Sequence, residues 1–173
     1  MKRPILIHPD PRLKKLCTPV ADLSDDLRAL ADDMLETMYA APGIGLAAPQ
    51  VGVMDRLIVM DCEKDETQPP KPMVMFNPEI IDTSEDLNVY EEGCLSIPEQ
   101  YAEVERPESI RVRYLDRSGE EQELDATGML ATCIQHEMDH LDGILFVDLI
   151  SSLKRNMILR KLSKAKKMAA APA

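Results

Sequence analysis

The residues best equipped for chemistry lie in the stretch Gln135-His136-Glu137-Met138-Asp139-His140-Leu141-Asp142-Gly143. Its apolar spacing predicts a helix. Two histidines four residues apart then share one face, about 6 Å apart along the axis. Both imidazoles can reach one divalent cation, and Glu137 sits beside the first of them, within reach of a water held there. Two neutral nitrogens and a carboxylate base are what metal-assisted hydrolysis requires.

Two histidines do not complete such a site, because catalytic zinc-type centres usually have three protein ligands and an open position. The longer pattern His-Glu-x-x-His-x-x-Gly-x-x-His is matched only as far as Gly143 and then meets Phe146. His8, the only other histidine, belongs to a proline-rich arm, where a packing or surface role is expected. Among the cysteines, Cys133 shares the helix face but stands about 10 Å from His140 along the axis, too far for a short side chain to close. It is expected in the pocket wall. Cys17 lies in the arm. Cys62 follows an apolar strand, and spacing alone leaves it open. Cys94 has the most suggestive setting, Glu91-Glu92-Gly93-Cys94-Leu95-Ser96-Ile97-Pro98, where Gly93 permits close backbone approach and Pro98 limits strand pairing. A thiolate there admits iron(II) or zinc.

A third stretch, Pro42-Gly43-Ile44-Gly45-Leu46-Ala47-Ala48-Pro49-Gln50-Val51-Gly52, has neither the Lys-Ser/Thr ending of a phosphate loop nor the spacing of a dinucleotide fingerprint. Its small residues allow an extended peptide to pair with Ile44-Gly45 as an added strand. The amide of Gln50 can donate to a developing oxyanion.

Elements must position these groups. Ser24 caps a first helix, with Asp25 and Asp26 in its opening turn and Leu27, Leu30, Met34, Leu35 and Met38 at helical spacing until Pro42-Gly43. Leu57–Met60 reads as a buried strand, and 61–72 as a polar, proline-containing loop. Met73–Phe76 and Glu79–Asp82 read as short strands. Residues 109–116 and 120–126 form a hairpin about Asp116-Arg117-Ser118-Gly119. The second helix runs from about Thr127 to His140, stopped by Gly143, and a third follows Ser151 or Ser152. Irregular alternation predicts an α+β fold: antiparallel or mixed sheets packed around a central helix carrying the histidines, with an N-terminal and a C-terminal helix. The 173 residues suit one domain, 1–173, with 149–173 as a basic helix and tail.

The net charge of −11 excludes whole-domain binding to nucleic acid, DNA included. The charge is uneven: 149–173 carries seven basic residues and no acid, whereas the remainder has thirteen bases against thirty-one acids. No apolar run approaches the length of a membrane span, and the first residues are not a signal peptide. The four cysteines show no paired spacing, so thiols or a ligand are expected rather than disulfides.

Taken together, Gly43-Ile44-Gly45-Leu46-Ala47-Ala48-Pro49-Gln50, Glu92-Gly93-Cys94-Leu95-Ser96 and Gln135-His136-Glu137-Met138-Asp139-His140 resemble the three motifs of peptide deformylase, complete and in that family's order. The resemblance extends over essentially the whole chain, including Asp10-Pro11-Arg12-Leu13 and the basic C-terminal helix. It implies hydrolysis of the N-formyl group from formyl-methionine at the start of new polypeptides, in the cytoplasm. Carried across, Cys94, His136 and His140 bind the metal, typically iron(II), with zinc, nickel or cobalt substituting. Glu137 moves the proton from water to the leaving amine, and Gln50 with the Leu95 backbone N–H stabilises the oxyanion. Gly43, Ile44, Gly45, Met129 and Cys133 are the expected substrate-binding residues, the last two with Ile44 around the methionine side chain. Ala41-Pro42, Tyr90 and Tyr101 depart from the family pattern, at the rim rather than at the metal. A monomer is expected, and relatives suggest a contact of the basic helix with ribosomal RNA. The competing readings are a metalloendopeptidase, disfavoured by the absent third downstream histidine, and a structural metal site or ribosome-associated binding module, in which Glu137 has no purpose.

Overall fold

The computed structural model describes residues 1–170; the last residues of the expected tail, 171–173, lie outside the described residues. Three helices, α1 (Asp25–Ala40), α2 (Gly128–Leu141) and α3 (Ser152–Ala170), combine with seven strands: β1 (Gly45–Ala47), β2 (Leu57–Met60), β3 (Met73–Thr83), β4 (Leu87–Cys94), β5 (Ile97–Pro107), β6 (Ser109–Leu115) and β7 (Glu121–Thr127). A five-stranded sheet runs β1-β2-β3-β6-β7, and β4-β5 form a separate two-stranded ribbon. All named pairings are antiparallel. The fold is therefore α+β, as the patterning predicts.

Alternation along β2 explains the layering. Leu57 and Val59 join Leu30, Met34 and Met38 of α1 on one side of the sheet. Ile58 and Met60 point the other way, into a cluster with Ala131, Cys133 and Ile134 of α2. A four-residue strand buried on both faces thus ties both helices to one sheet. A third cluster, with Leu13, Ile97, Val104, Phe146, Ile158 and Leu162, seats α3 and the ribbon. Helix α2 lies between the sheet and the ribbon, so its polar residues are buried on two sides.

Local signals work as sequence chemistry requires. Ser24 Oγ accepts from the Leu27 N–H at 3.2 Å and caps α1. Gly143, at φ 74°, stops the chain after α2; an added Cβ there would lie 2.5 Å from the Lys14 carbonyl oxygen. The two expected segments 73–76 and 79–82 are one strand, β3, with a register shift between Phe76 and Glu79 where Asn77 adopts φ 50°. The Asn77 side chain locks this bend by accepting from the Val20 N–H and donating to the Val20 carbonyl. The ribbon is absent from the sequence-based elements. Pro98 sits in its irregular end, where Gly93 pairs with Tyr101 but Cys94 pairs with Ile97. The intervening Pro98, Glu99 and Gln100 bulge out of the ladder, so no N–H is demanded of the proline.

Candidate metal centre

Three elements converge: α2 supplies His136, Glu137 and His140; the end of β4 supplies Cys94; the one-turn 3₁₀ helix Ala48–Val51, following β1, supplies Gln50. One ligand-type atom from each of Cys94, His136 and His140 lies within 4.8 Å of the others. Cys94 Sγ is 3.4 Å from His140 Nε2. For bonds of about 2.3 Å to sulfur and 2.0–2.1 Å to nitrogen, tetrahedral placement sets donor atoms roughly 3.5 Å apart. The Cys94–His140 pair stands at that spacing, and the His136 donor lies close enough to join it around a first-row cation.

The surroundings orient these donors. His136 Nδ1 is 2.9 Å from Glu92 Oε1, which leaves Nε2 for the centre. Glu92 is held in turn by Arg106, with Nε 2.7 Å from Oε2 and Nη2 3.0 Å from Oε1. Arg106 Nη1 donates to Asp139 Oδ2 at 2.8 Å. Glu92 and Arg106 are 6% and 5% exposed, so this is a buried, compensated pair that cannot lose one member cheaply. Burial pushes His140 well below its ordinary value, with the neighbouring His136 adding to the effect, and the ring stays neutral. Burial also opposes a proton on His136, but the nearby Cys94 sulfur and the hydrogen bond to Glu92 outweigh it. The space between sulfur and ring nitrogen that draws a proton is equally a place for a cation.

Gln50 is buried and oriented. Its Oε1 accepts from the Ala47 N–H at 2.9 Å, so its Nε2 faces Ser96 Oγ at 3.0 Å and Cys94 Sγ at 3.4 Å. The N-terminal arm braces this corner: the Leu6 N–H donates to the Gln50 carbonyl and the His8 N–H to the Ser96 carbonyl. Leu95 occupies the turn between β4 and β5, its side chain against Gly43, where an added Cβ would lie 2.7 Å from Leu95 Cδ1. Burial pushes the Glu137 carboxyl up to about 7, with the Glu92 charge reinforcing it against the pull of His136. Glu137 Oε1 and His140 Nδ1 are buried without a hydrogen-bond partner among the described residues. Such atoms are costly in a finished core and natural in a centre that receives an ion and a polar ligand.

A cavity of about 420 Å³ opens over this centre, with Gly43, Ile44, Gly45, Gln50, Cys94 and Glu137 in its wall. Tyr101, 63% exposed, forms part of the rim, its ring lying against Gly93. Met129 and Cys133 stand off this wall: Met129 is half-buried in the first turn of α2, and Cys133 is buried with its thiol 3.8 Å from the Ile44 carbonyl. Sequence reasoning quotes Glu92, Ser96 and Asp139 only as parts of motifs, without a role, and misses Arg106. A detectable signal exists for Arg106, a lone base among Glu103, Glu105 and Glu108.

Three donors, a buried carboxylate and an oriented amide around a cavity make the layout of a mononuclear metallohydrolase. Comparison with known proteins specifies the kind. The family model described as polypeptide deformylase matches residues 2–156. A peptide deformylase of Rhizobium meliloti is 57% identical over 171 residues, covering 99% of this chain and 98% of its own. Another, from Afipia carboxidovorans, is 58% identical over 168 residues, covering 97% and 98%. The crystal structure of a peptide deformylase from Legionella pneumophila superposes with a TM-score of 0.91 at 46% identity, covering 99% of this chain and all of that one. That from Ehrlichia chaffeensis gives 0.93 at 38% identity with the same coverage. The chain belongs to the peptide deformylase family, metal-dependent hydrolases that remove the N-formyl group from nascent peptides.

Proposed function

We propose that this chain, as one domain, hydrolyses the N-formyl group of formyl-methionyl nascent peptides through Cys94, His136, His140, Glu137, Gln50 and Leu95. The observation that carries this reading is the convergence of a thiol and two imidazoles beside a buried carboxylate whose Oε1 has no hydrogen-bond partner among the described residues. Cys94 Sγ and the two ring nitrogens would hold the cation; iron(II) is the proposed native ion, with zinc, nickel or cobalt able to substitute. When bound, it supplies Lewis acidity that polarises the formyl oxygen and lowers the pKa of a water.

The remaining work belongs to the protein. Glu137 accepts a proton from the attacking water and delivers it to the departing amine nitrogen. Gln50 Nε2 and the Leu95 backbone N–H donate to the oxyanion as it forms, and the fixed contact of Gln50 Oε1 with Ala47 means no reorganisation is needed at that moment. Gly43, Ile44 and Gly45 receive the peptide backbone. Ile44 takes the methionine side chain, with Met129 and Cys133 set back from the cavity lining and shaping the space only from behind it; one missing methylene there costs about 1–3 kcal/mol, so discrimination at that side chain is moderate. The formyl carbon carries only hydrogen, and a tight site around Gly45 excludes larger acyl groups.

The protein is proposed to act in the cytoplasm as a monomer. Among the described residues, no helix is long and apolar enough to cross a membrane. The basic face of α3, from Lys154 to Lys167, is a proposed ribosome contact. The test of function supplies formyl-Met-Ala-Ser and Met-Ala-Ser to anaerobically prepared, metal-loaded protein. Formate and a new amine from the first alone are expected; cleavage of internal bonds in longer unformylated peptides would overturn the assignment in favour of an endopeptidase.

A further inference from the structure

The reaction above does not use Cys62. β2 sends alternate side chains to opposite faces, and Cys62, two residues beyond Met60, continues the row that packs beneath α2. Cys133 descends onto that row from the helix. The Ile44 carbonyl marks their meeting point: it accepts from the Asp61 N–H at 2.9 Å, one residue before Cys62, and faces the Cys133 thiol at 3.8 Å. Cys62 packs against the same buried cluster that holds Cys133. Cys133 is 4% exposed whereas Cys62 is only half-buried, so Cys62 is the more accessible member of the pair.

We propose that Cys62 and Cys133 form a modification site, an oxidisable thiol pair that a peroxide converts to a disulfide and a dithiol reductant restores, with loss and return of activity. The Cys62 sulfur attacks one peroxide oxygen; the O–O bond breaks, water leaves, and Cys62 becomes a sulfenic acid. The Cys133 sulfur then attacks the Cys62 sulfur, the S–O bond breaks and a second water departs with the thiol proton. Two thiols lose two electrons in total, and one peroxide gains them. The neighbouring Cys133 side chain, opposed by burial, holds Cys62 below the ordinary thiol value, which raises its nucleophilic fraction.

The link to activity rests on the proposed function. An ideal Cβ on Gly45 would lie 2.4 Å from Glu137 Oε2 and 2.9 Å from Cys133 Sγ, so carboxylate and sulfur fill adjoining space beneath β1. Bonding to Cys62 at about 2.05 Å withdraws that sulfur and shifts the packing around the base. Zinc-loaded protein, whose metal has no redox chemistry, is treated with hydrogen peroxide, alkylated and digested, alongside Cys62→Ser and Cys62→Ala. The expected result is a peptide joining residues 62 and 133, with activity on formyl-Met-Ala-Ser falling about tenfold to a hundredfold and returning with dithiothreitol. Neither change is expected in the two variants. No 62–133 linkage, or one captured by Cys17 or Cys94, overturns the pair; a linkage with unchanged activity overturns its effect on catalysis. Mass alone reads the linkage, whereas inactivity before peroxide is a failure of the proposed function and not of the pair.

Discussion

Glu137 and His136 are neighbours in sequence with different supports. His136 is fixed through Glu92 and Arg106, whereas Glu137 Oε1 has no hydrogen-bond partner among the described residues. Replacing Glu137 by Gln therefore leaves the donor atoms in place while removing the base. Metal content by elemental analysis is expected to stay at wild-type level, while kcat/KM on formyl-Met-Ala-Ser falls by about 10²–10⁴-fold; full turnover in a loaded variant would remove Glu137 from the mechanism. Gln50→Ala removes an oriented donor and is expected to lower kcat by about 10²–10³-fold with little change in KM. Arg106→Met acts at a distance: it leaves the buried Glu92 and the half-buried Asp139 without their cation, and a loss of about 3–5 kcal/mol in denaturant unfolding is expected. Unchanged stability would mean that the pair is not what holds this side of the centre.

At the scale of elements, the loop 61–72 returns the chain from β2 to β3 and is clamped by Asp61. Tyr39 donates to Asp61 Oδ2 at 2.6 Å, the Lys71 N–H to the same oxygen at 3.1 Å, and the Glu63 N–H to Oδ1 at 3.0 Å. Burial acts to raise this carboxyl, but the three hydrogen bonds outweigh it and hold it below its ordinary value. Its stabilising contribution is therefore complete above that ordinary value, about pH 4, and is lost as pH falls through the lowered folded value. Amide protection at Glu63 and Lys71, taken as the observed rate against the intrinsic rate at each pH, is expected to fall over that acid range, and Asp61→Asn to remove that fall; protection unchanged with pH would contradict the clamp. Elements held by periodic patterns were legible in sequence: α1, α2, β2 and the β6–β7 hairpin follow apolar spacing and turn chemistry. The ribbon was not, because its pattern is inverted. On β4 the exposed side chains include Leu87 and Val89, whereas Glu92 is buried, and on β5 Arg106 is buried between exposed Glu105 and half-buried Pro107. A strand that presents charge inward, to serve a metal centre, defeats any reading that equates apolar with buried. The motif Glu92-Gly93-Cys94 was visible, but its partner Arg106 is set by register across the ribbon, which no local pattern encodes.

For the whole molecule, the centre is also a junction. Helix α2 touches the main sheet through Cys133 and Ile134, the ribbon through His136 and Glu92, and the third core through the His136–Phe146 ring pair, whose centroids are 6.1 Å apart. A cation binding only the folded state stabilises that state by mass action. Chelation is therefore expected to lower Tm as well as abolish activity, with both restored by adding back zinc; an unchanged Tm would mean that the donors are set without help from the ion. The candidate donors could be nominated from types and spacing, since the histidine pair lies on one helix. Their meeting with a cysteine forty-two residues upstream of His136 depends on the packing of ribbon against helix. The most direct test of the central claim is X-ray absorption at the metal edge of the zinc-loaded protein. One sulfur at about 2.3 Å and two imidazole nitrogens at about 2.0–2.1 Å, with one further light donor, are expected. A shell with no sulfur, or with two, would contradict the centre described here.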